Sequence, residues 1–192
     1  MLSKSKGHLF VISAPSGTGK STVAQAVCRR LPELVASISC TTRKPRAGER
    51  DGVDYYFLSE DEFRRRIDEG LFAEWASVHN SLYGTPKQFL RDAVDAGKSV
   101  ILDIDIQGGM AIKKTFPEAV TVFLVPPDME VLRERLTRRG TDDPAQVELR
   151  MANAKQELGF RDRYDEKIVN DRLEDAVEKL ASLIRRRIVV GT

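Results

Sequence analysis

Cysteine, histidine and tryptophan are scarce in this chain of 192 residues, which has two Cys, two His and one Trp. Cys28 and Cys40 lack metal-ligand spacing, and His8 and His79 lie far apart, which argues against a zinc site. Cys28 falls on the apolar face of the first helical stretch and reads as a small buried hydrophobe, while Cys40 has no catalytic partner nearby in sequence. An excess of one charge is missing too. Against 31 Lys and Arg stand 29 Asp and Glu, so no global field favours nucleic acid, and any polyanion binding is local. The apolar run after Met1-Leu2-Ser3-Lys4-Ser5-Lys6 is too short for a signal peptide, and no later run reaches transmembrane length. The chain therefore reads as a cytosolic protein with no membrane partner. Its 41% hydrophobic content suffices for the core of one domain, with neither repeats nor low-complexity tracts.

What is present starts at the N-terminus. The strand-like run Leu9 to Ser13 passes into Ala14-Pro15-Ser16-Gly17-Thr18-Gly19-Lys20-Ser21 and then, from Lys20 through Thr22, into a helical stretch. This is the layout of a phosphate-gripping P-loop, as opposed to a glycine-rich turn without a ligand. Gly17 and Gly19 let successive N–H groups point at an anion, and the helix adds the positive end of its dipole. Lys20 would reach the β- and γ-phosphates of a nucleotide and Ser21 would ligate Mg²⁺. Ala14 stands where the usual pattern has Gly, a departure that is harmless if the position has negative φ.

Strand-like segments recur near 8–13, 35–39, 53–57, 71–78, 99–104, 119–125 and 167–169, mostly separated by helical patterns. The alternation predicts an α/β fold with a mainly parallel sheet flanked by helices. Residues 100–103 and 120–125 are nearly continuous apolar runs, as in central strands covered on both faces. The stretch 41–85 breaks the rhythm and reads as an inserted subdomain, with a helix begun by Ser59 and Glu62 as capping-box partner. A helix capped by Thr85 with Pro86 in its first turn stops before Gly97, presenting Phe89, Ala93, Val94 and Ala96. Two further helices, from Pro126-Pro127-Asp128 to about Arg138 and from Ala145 to about Leu158, flank a break at 140–144. The last helix, from about Leu173, aligns Leu173, Val177, Leu180 and Ile184 and ends in Arg185-Arg186-Arg187, read as a helix end complementing the dipole.

A P-loop alone leaves the reaction open. Arg43, Arg46 and Tyr55, around the turn at Pro45, form a set able to clamp a second phosphate, with Tyr83 completing it; on composition the same segment also reads as a solvated basic loop. Asp103 ends an apolar strand, where such enzymes place a carboxylate near the Mg²⁺ shell, and Asp105 follows on the same face; both also read as caps of the next helix, with Gln107-Gly108-Gly109 as a loop. Trp75, opposite Glu74 on an extended strand, reads as core.

Taken together, Thr41-Thr42-Arg43-Lys44-Pro45-Arg46-Ala47-Gly48-Glu49, Glu74-Trp75-Ala76, Tyr83-Gly84-Thr85, Asp103-Ile104-Asp105-Ile106-Gln107-Gly108 and Ile168-Val169-Asn170-Asp171 resemble guanylate kinase, from about residue 7 to 187. The resemblance implies a single P-loop NTPase-type domain over 1–192: a core of about 7–38, 86–127 and 160–192, a GMP-binding subdomain of about 39–85 and a helical lid of about 128–159. It implies that Arg43, Arg46, Tyr55 and Tyr83 bind the GMP phosphate, and that Ser39, Glu74, Thr85 and Asp105 surround the guanine, with Asp103 near the metal shell. It further implies that Arg135, Arg139 and Arg150 reach the phosphates on lid closure, with ATP as co-substrate, Mg²⁺ as cofactor and GMP, together with dGMP, as acceptor. The chemistry of the base agrees: guanine offers N1–H and an N2 amino group as adjacent donors, which carboxylates accept, whereas adenine turns an N1 lone pair toward them. Two competing readings are a non-enzymatic interaction module and a P-loop kinase for another phosphorylated acceptor.

Overall fold

The computed structural model describes residues 6–78, 80–138 and 143–190. Strand β1 (Leu9–Ser13) leads through the glycine loop into α1 (Lys20–Arg30) and β2 (Leu34–Ala36). The chain then leaves the main sheet for β3 (Cys40–Thr41), β4 (Tyr56–Phe57), α2 (Glu60–Asp68), β5 (Phe72–Val78) and β6 (Ser81–Pro86). It returns through α3 (Lys87–Asp95), β7 (Ser99–Asp103), α4 (Ile106–Thr115) and β8 (Val120–Val125). The helical pair α5 (Met129–Arg138) and α6 (Pro144–Leu158) follows, then a 3₁₀ turn at Arg161–Arg163, β9 (Glu166–Val169) and α7 (Leu173–Val190).

Five strands form a parallel sheet in the order β2-β7-β1-β8-β9. In β1 every residue is buried because alternate side chains enter two different cores. Phe10 and Ile12 pack with Val23 and Val27 of α1 and Leu180 and Ile184 of α7, whereas Leu9 and Val11 pack with Leu90 of α3 and Ile112 of α4. Burial on both faces is why these strands read as continuous apolar runs. The carboxyl ends of β1 and β7 lie side by side, with Ile12 in register with Asp103, and this is the edge at which open α/β sheets bind ligands.

The second sheet, β4-β3-β6-β5, has a small core of its own, in which Phe63 of α2 stacks on Phe72 at 4.5 Å between centroids. Here the structure departs from expectation. The segment expected at 35–39 splits, so that β2 ends at Ala36 and β3 joins the other sheet. The segment at 53–57 shortens to β4, because a turn at 50–54 ties Arg50 N–H to Asp54 Oδ2 at 2.8 Å. Strand β6 has no counterpart in the sequence reading, and within it position 84 is glycine because a Cβ there would stand 3.0 Å from both Phe63 and Phe72. Thr85 is thus a strand residue and not a helix cap, and α3 starts after Pro86 without a side-chain cap. Leu90 and Ala93 are its buried residues, while Phe89 faces out. Gln107-Gly108-Gly109 lies in the first turns of α4 and not in a loop. Ser59 does cap α2, accepting from Glu62 N–H at 3.2 Å, but the Glu62 carboxylate turns to Arg65 and Arg66.

Candidate functional site

The glycine loop binds an anion only if its backbone can turn inside out. Gly17 (φ 86°) and Gly19 (φ 93°) are left-handed, and among the described residues Asn80 alone of the non-glycines has positive φ. Ala14 therefore sits in a conformation open to any residue. Ala14, Pro15, Ser16, Gly17, Gly19, Lys20, Ser21 and Thr22 line a hollow of about 190 Å³ at the start of α1. Thr18 is set back from it: its side chain is fully buried, and its N–H bonds to Pro15 O at 3.2 Å. The Lys20 ammonium reaches across to the end of β7, where it pairs with Asp103 and donates to Ile104 O at 2.9 Å.

A second pocket, of about 200 Å³, opens beside Lys20 and is lined by Ser39, Tyr55, Glu74, Val78, Tyr83, Asp103, Ile104 and Asp105. Of the nine residues expected to bind the second nucleotide, six (Ser39, Tyr55, Glu74, Tyr83, Asp103 and Asp105) line this pocket, whereas Arg43, Arg46 and Thr85 do not. Glu74 is 7% exposed, and its Oε1 accepts the Thr85 hydroxyl at 2.5 Å. Burial, and secondarily the Asp105 charge, push its carboxyl up to about 7, against the Thr85 hydrogen bond. Helix α4 comes close because Gly108 has no side chain; a Cβ there would lie 2.7 Å from Glu74 Oε2. Asp105 serves both readings given to it: it caps α4 by accepting from Gly108 N–H at 2.9 Å and also faces the pocket. Ser13, at the end of β1, fixes its backbone by donating to Asp105 O at 3.1 Å. Trp75 does point away from Glu74, but it is 49% exposed and not core.

A cleft of about 550 Å³ continues from this pocket along α1, lined by Ser21, Ser39, Arg46, Glu49, Tyr55 and Asp103 among others. Arg43 stands at its side, held bidentately by Glu49 at 2.9 and 3.0 Å and lying over the Tyr55 ring at 5.3 Å. Glu49 raises the Arg43 guanidinium further above its ordinary value, and Arg43 in turn lowers the Glu49 carboxyl. Glu49 also accepts the Arg46 N–H at 2.7 Å, so one carboxylate shapes the whole turn. Burial raises the Tyr55 hydroxyl pKa, and its ring meets Tyr83 edge-on at 6.0 Å. Glu49 was missed as an organising residue, although its place in the motif with Arg43 was the available signal.

Helices α5 and α6 close the other side of the glycine loop. Arg150 donates to Ser16 Oγ at 2.7 Å, Glu157 Oε2 accepts Ser16 N–H at 3.4 Å, and Leu132 and Leu136 lie where a Cβ on Gly17 would be. Arg135 donates to the carbonyls of Asn170 and Asp171 at 2.8 and 2.9 Å. Arg139 and the break at 140–142 lie outside the described residues. A further hollow, of about 670 Å³, lies between α5, α6 and the 3₁₀ turn, and in it Arg133 and Glu148 pair with each other.

Comparison with known proteins adds a separate line of observation. The guanylate kinase family model matches residues 6–187. A guanylate kinase of Thermotoga maritima is 48% identical, with 94% of this chain and 87% of that protein covered. One of Caldanaerobacter subterraneus subsp. tengcongensis is 46% identical, with 94% and 88% covered. The crystal structure of guanylate kinase from Anaplasma phagocytophilum superimposes with a TM-score of 0.79 at 34% identity, covering 97% of this chain and 89% of that one.

Proposed function

The chain belongs to the guanylate kinase family, and from that premise we infer that it phosphorylates GMP to GDP at the expense of ATP, with the labour divided among its residues as follows. The observation that carries the reading is Glu74: a carboxylate buried to 7% exposure, facing Asp105 in a pocket that opens onto the phosphate loop. Burial without a cationic partner of its own is costly unless a ligand supplies donors. Guanine supplies two, N1–H and the N2 amino group. Thr85 holds one Glu74 oxygen in place, and Ser39 donates to O6. Adenine would leave the carboxylate unpaired, and polar sites of this kind discriminate by about 10⁴-fold.

Arg43, Arg46, Tyr55 and Tyr83 hold the GMP phosphate. The loop from Ala14 to Thr22 receives the ATP phosphates, its backbone supplying the donors. Lys20 then leaves its pairing with Asp103 for the transferred group. Ser21 and Asp103 are hard oxygen donors facing the same cleft, which fits Mg²⁺: Ser21 would hold the ion directly and Asp103 through its outer shell. When bound, the ion neutralises charge on the β- and γ-oxygens.

No general base is required. A phosphate monoester has its second pKa near about 6, so the acceptor is largely dianionic at neutral pH, and catalysis rests on alignment and charge neutralisation. The 128–159 segment acts as a lid over the 7–38, 86–127 and 160–192 core, and 39–85 as the GMP-binding subdomain. Arg135, Arg139 and Arg150 bring positive charge to the phosphates on closure, which also excludes water and suppresses ATP hydrolysis. dGMP is a second acceptor, and the site of action is the cytoplasm; among the described residues no helix is long and apolar enough to cross a membrane.

Coupled ADP release with MgATP and a panel of GMP, dGMP, AMP, CMP, UMP and dTMP tests the reading. Turnover confined to GMP and dGMP is expected. Turnover led by another acceptor would remove the base-site assignment.

A further inference from the structure

Asn170 is absorbed by none of these roles, yet it is 5% exposed at the end of β9, against the outer side of the glycine loop. Its backbone N–H donates to Val125 O at 2.8 Å, which fixes it to the end of β8. Its side-chain Nδ2 donates to Thr18 O at 2.6 Å, across 152 residues of chain. Its own carbonyl accepts from Arg135 of α5 at 2.8 Å. Gly19 admits it, because a Cβ there would stand 2.8 Å from Nδ2.

The geometry of the peptide unit gives this contact a consequence. In a planar trans peptide the carbonyl of one residue and the N–H of the next point in opposite directions. Holding the Thr18 carbonyl outward, toward Asn170, therefore turns the Gly19 N–H inward. Gly19 lines the hollow at the start of α1, whereas Thr18 does not. A donor on the carbonyl also polarises the peptide and strengthens its N–H as a donor on the other side. The loop has two left-handed glycines flanking Thr18, so without an external tie this peptide is the one freest to rotate.

We propose that Asn170 is a positioning residue for the ATP phosphates: its carboxamide locks the Thr18–Gly19 peptide with the Gly19 N–H aimed into the phosphate hollow. Through its carbonyl it also ties that orientation to Arg135 and hence to α5. The proposal rests on the assignment of the loop to ATP given above.

The test uses Asn170→Asp, which keeps the shape of the side chain but replaces the donor with a carboxylate against the Thr18 carbonyl. Steady-state KM is measured for ATP and for GMP, together with inhibition by inorganic tripolyphosphate and Mg²⁺, which carries the phosphates without a base, and the melting temperature. Expected are rises of about tenfold or more in both the ATP KM and the tripolyphosphate inhibition constant, with the GMP KM within about twofold of the parent, from the loss of a charge-adjacent hydrogen bond. Should that variant not fold, Asn170→Ser, which cannot reach Thr18, shows the same pattern with factors of about three to ten. An unchanged ATP KM overturns the proposal. So does a raised ATP KM with unchanged tripolyphosphate inhibition, which would place Asn170 against the nucleoside, and so does an equal rise for both substrates with a lowered melting temperature, which would make its role general support. Failure of tripolyphosphate to compete with ATP in the parent enzyme would instead overturn the assignment of the loop, and this proposal with it.

Discussion

The hydroxyl of Thr85 and the carboxylate of Glu74 meet at 2.5 Å across the antiparallel pair β5–β6, where the two residues are in register. A buried acid on a strand is thereby supplied with donors by Thr85 and waits for the rest from its ligand. The relationship ties the stability of the free protein to its choice of substrate.

The first consequence is a trade of stability against function. The Glu74 carboxyl is raised from 4.5 to about 7, mainly by burial. A raised acid in the folded state contributes stability that is fully present below pH 4.5 and is lost as pH rises through about 7. Glu74→Gln removes that loss. Its melting temperature should exceed the parent's by several degrees at pH 8 and differ little at pH 4.5, with GMP turnover reduced at both. Thermal melts of the free proteins at the two pH values check this.

Binding follows the opposite sense. Guanine N1–H and N2–H need the ionised carboxylate, so lowering the pH through about 7 protonates Glu74 and weakens GMP. For one linked proton the GMP KM should rise about tenfold from pH 8 to pH 6. The ATP KM should stay nearly constant. Glu74→Gln should flatten the GMP profile, which separates this proton from the one on the GMP phosphate.

Arg43 and Glu49 form a clamp made ready before the phosphate arrives, with two hydrogen bonds at 2.9 and 3.0 Å. Arg43→Ala should lower kcat/KM for GMP by about 100-fold or more, because a bidentate charged contact is lost. Glu49→Gln keeps the Arg but loosens it, and should raise the GMP KM by about three- to tenfold with little change in kcat. Kinetics at saturating ATP distinguish the two.

Lys20 should be indifferent to the acceptor. Lys20→Ala is expected to lower kcat by about 10³-fold or more with GMP and dGMP alike, since the lost charge acts on the transferred group. Near-parental kcat would remove Lys20 from the phosphate site.

How far these features can be read from residues alone depends on whether their cause is local. Gly17, Gly19 and Lys20 declare themselves because a left-handed turn before a helix demands glycine, and the structure has both glycines at positive φ. The strands at β1, β7 and β8 declare themselves because burial on both faces leaves a continuous apolar run. Trp75 and Glu74 invert the usual expectation, the tryptophan exposed and the acid buried, since what decides is α4, which packs at Gly108 from a distant part of the chain. Strand β6 was obscured by Gly84, whose cause is the Phe63–Phe72 stack. Asn170 likewise carries no local sign of its partner Thr18. The second nucleotide site was legible only through the ordered recurrence of five motifs, not through any one of them.

The most direct test of the account is the ratio of kcat/KM for GMP to that for AMP, at pH 8, in the parent enzyme and in Glu74→Ala. The buried carboxylate accounts for guanine selection, so the ratio should fall by about 100-fold or more, through loss of GMP activity with AMP little changed. A ratio that survives the substitution would show that guanine is chosen elsewhere and would contradict the central claim.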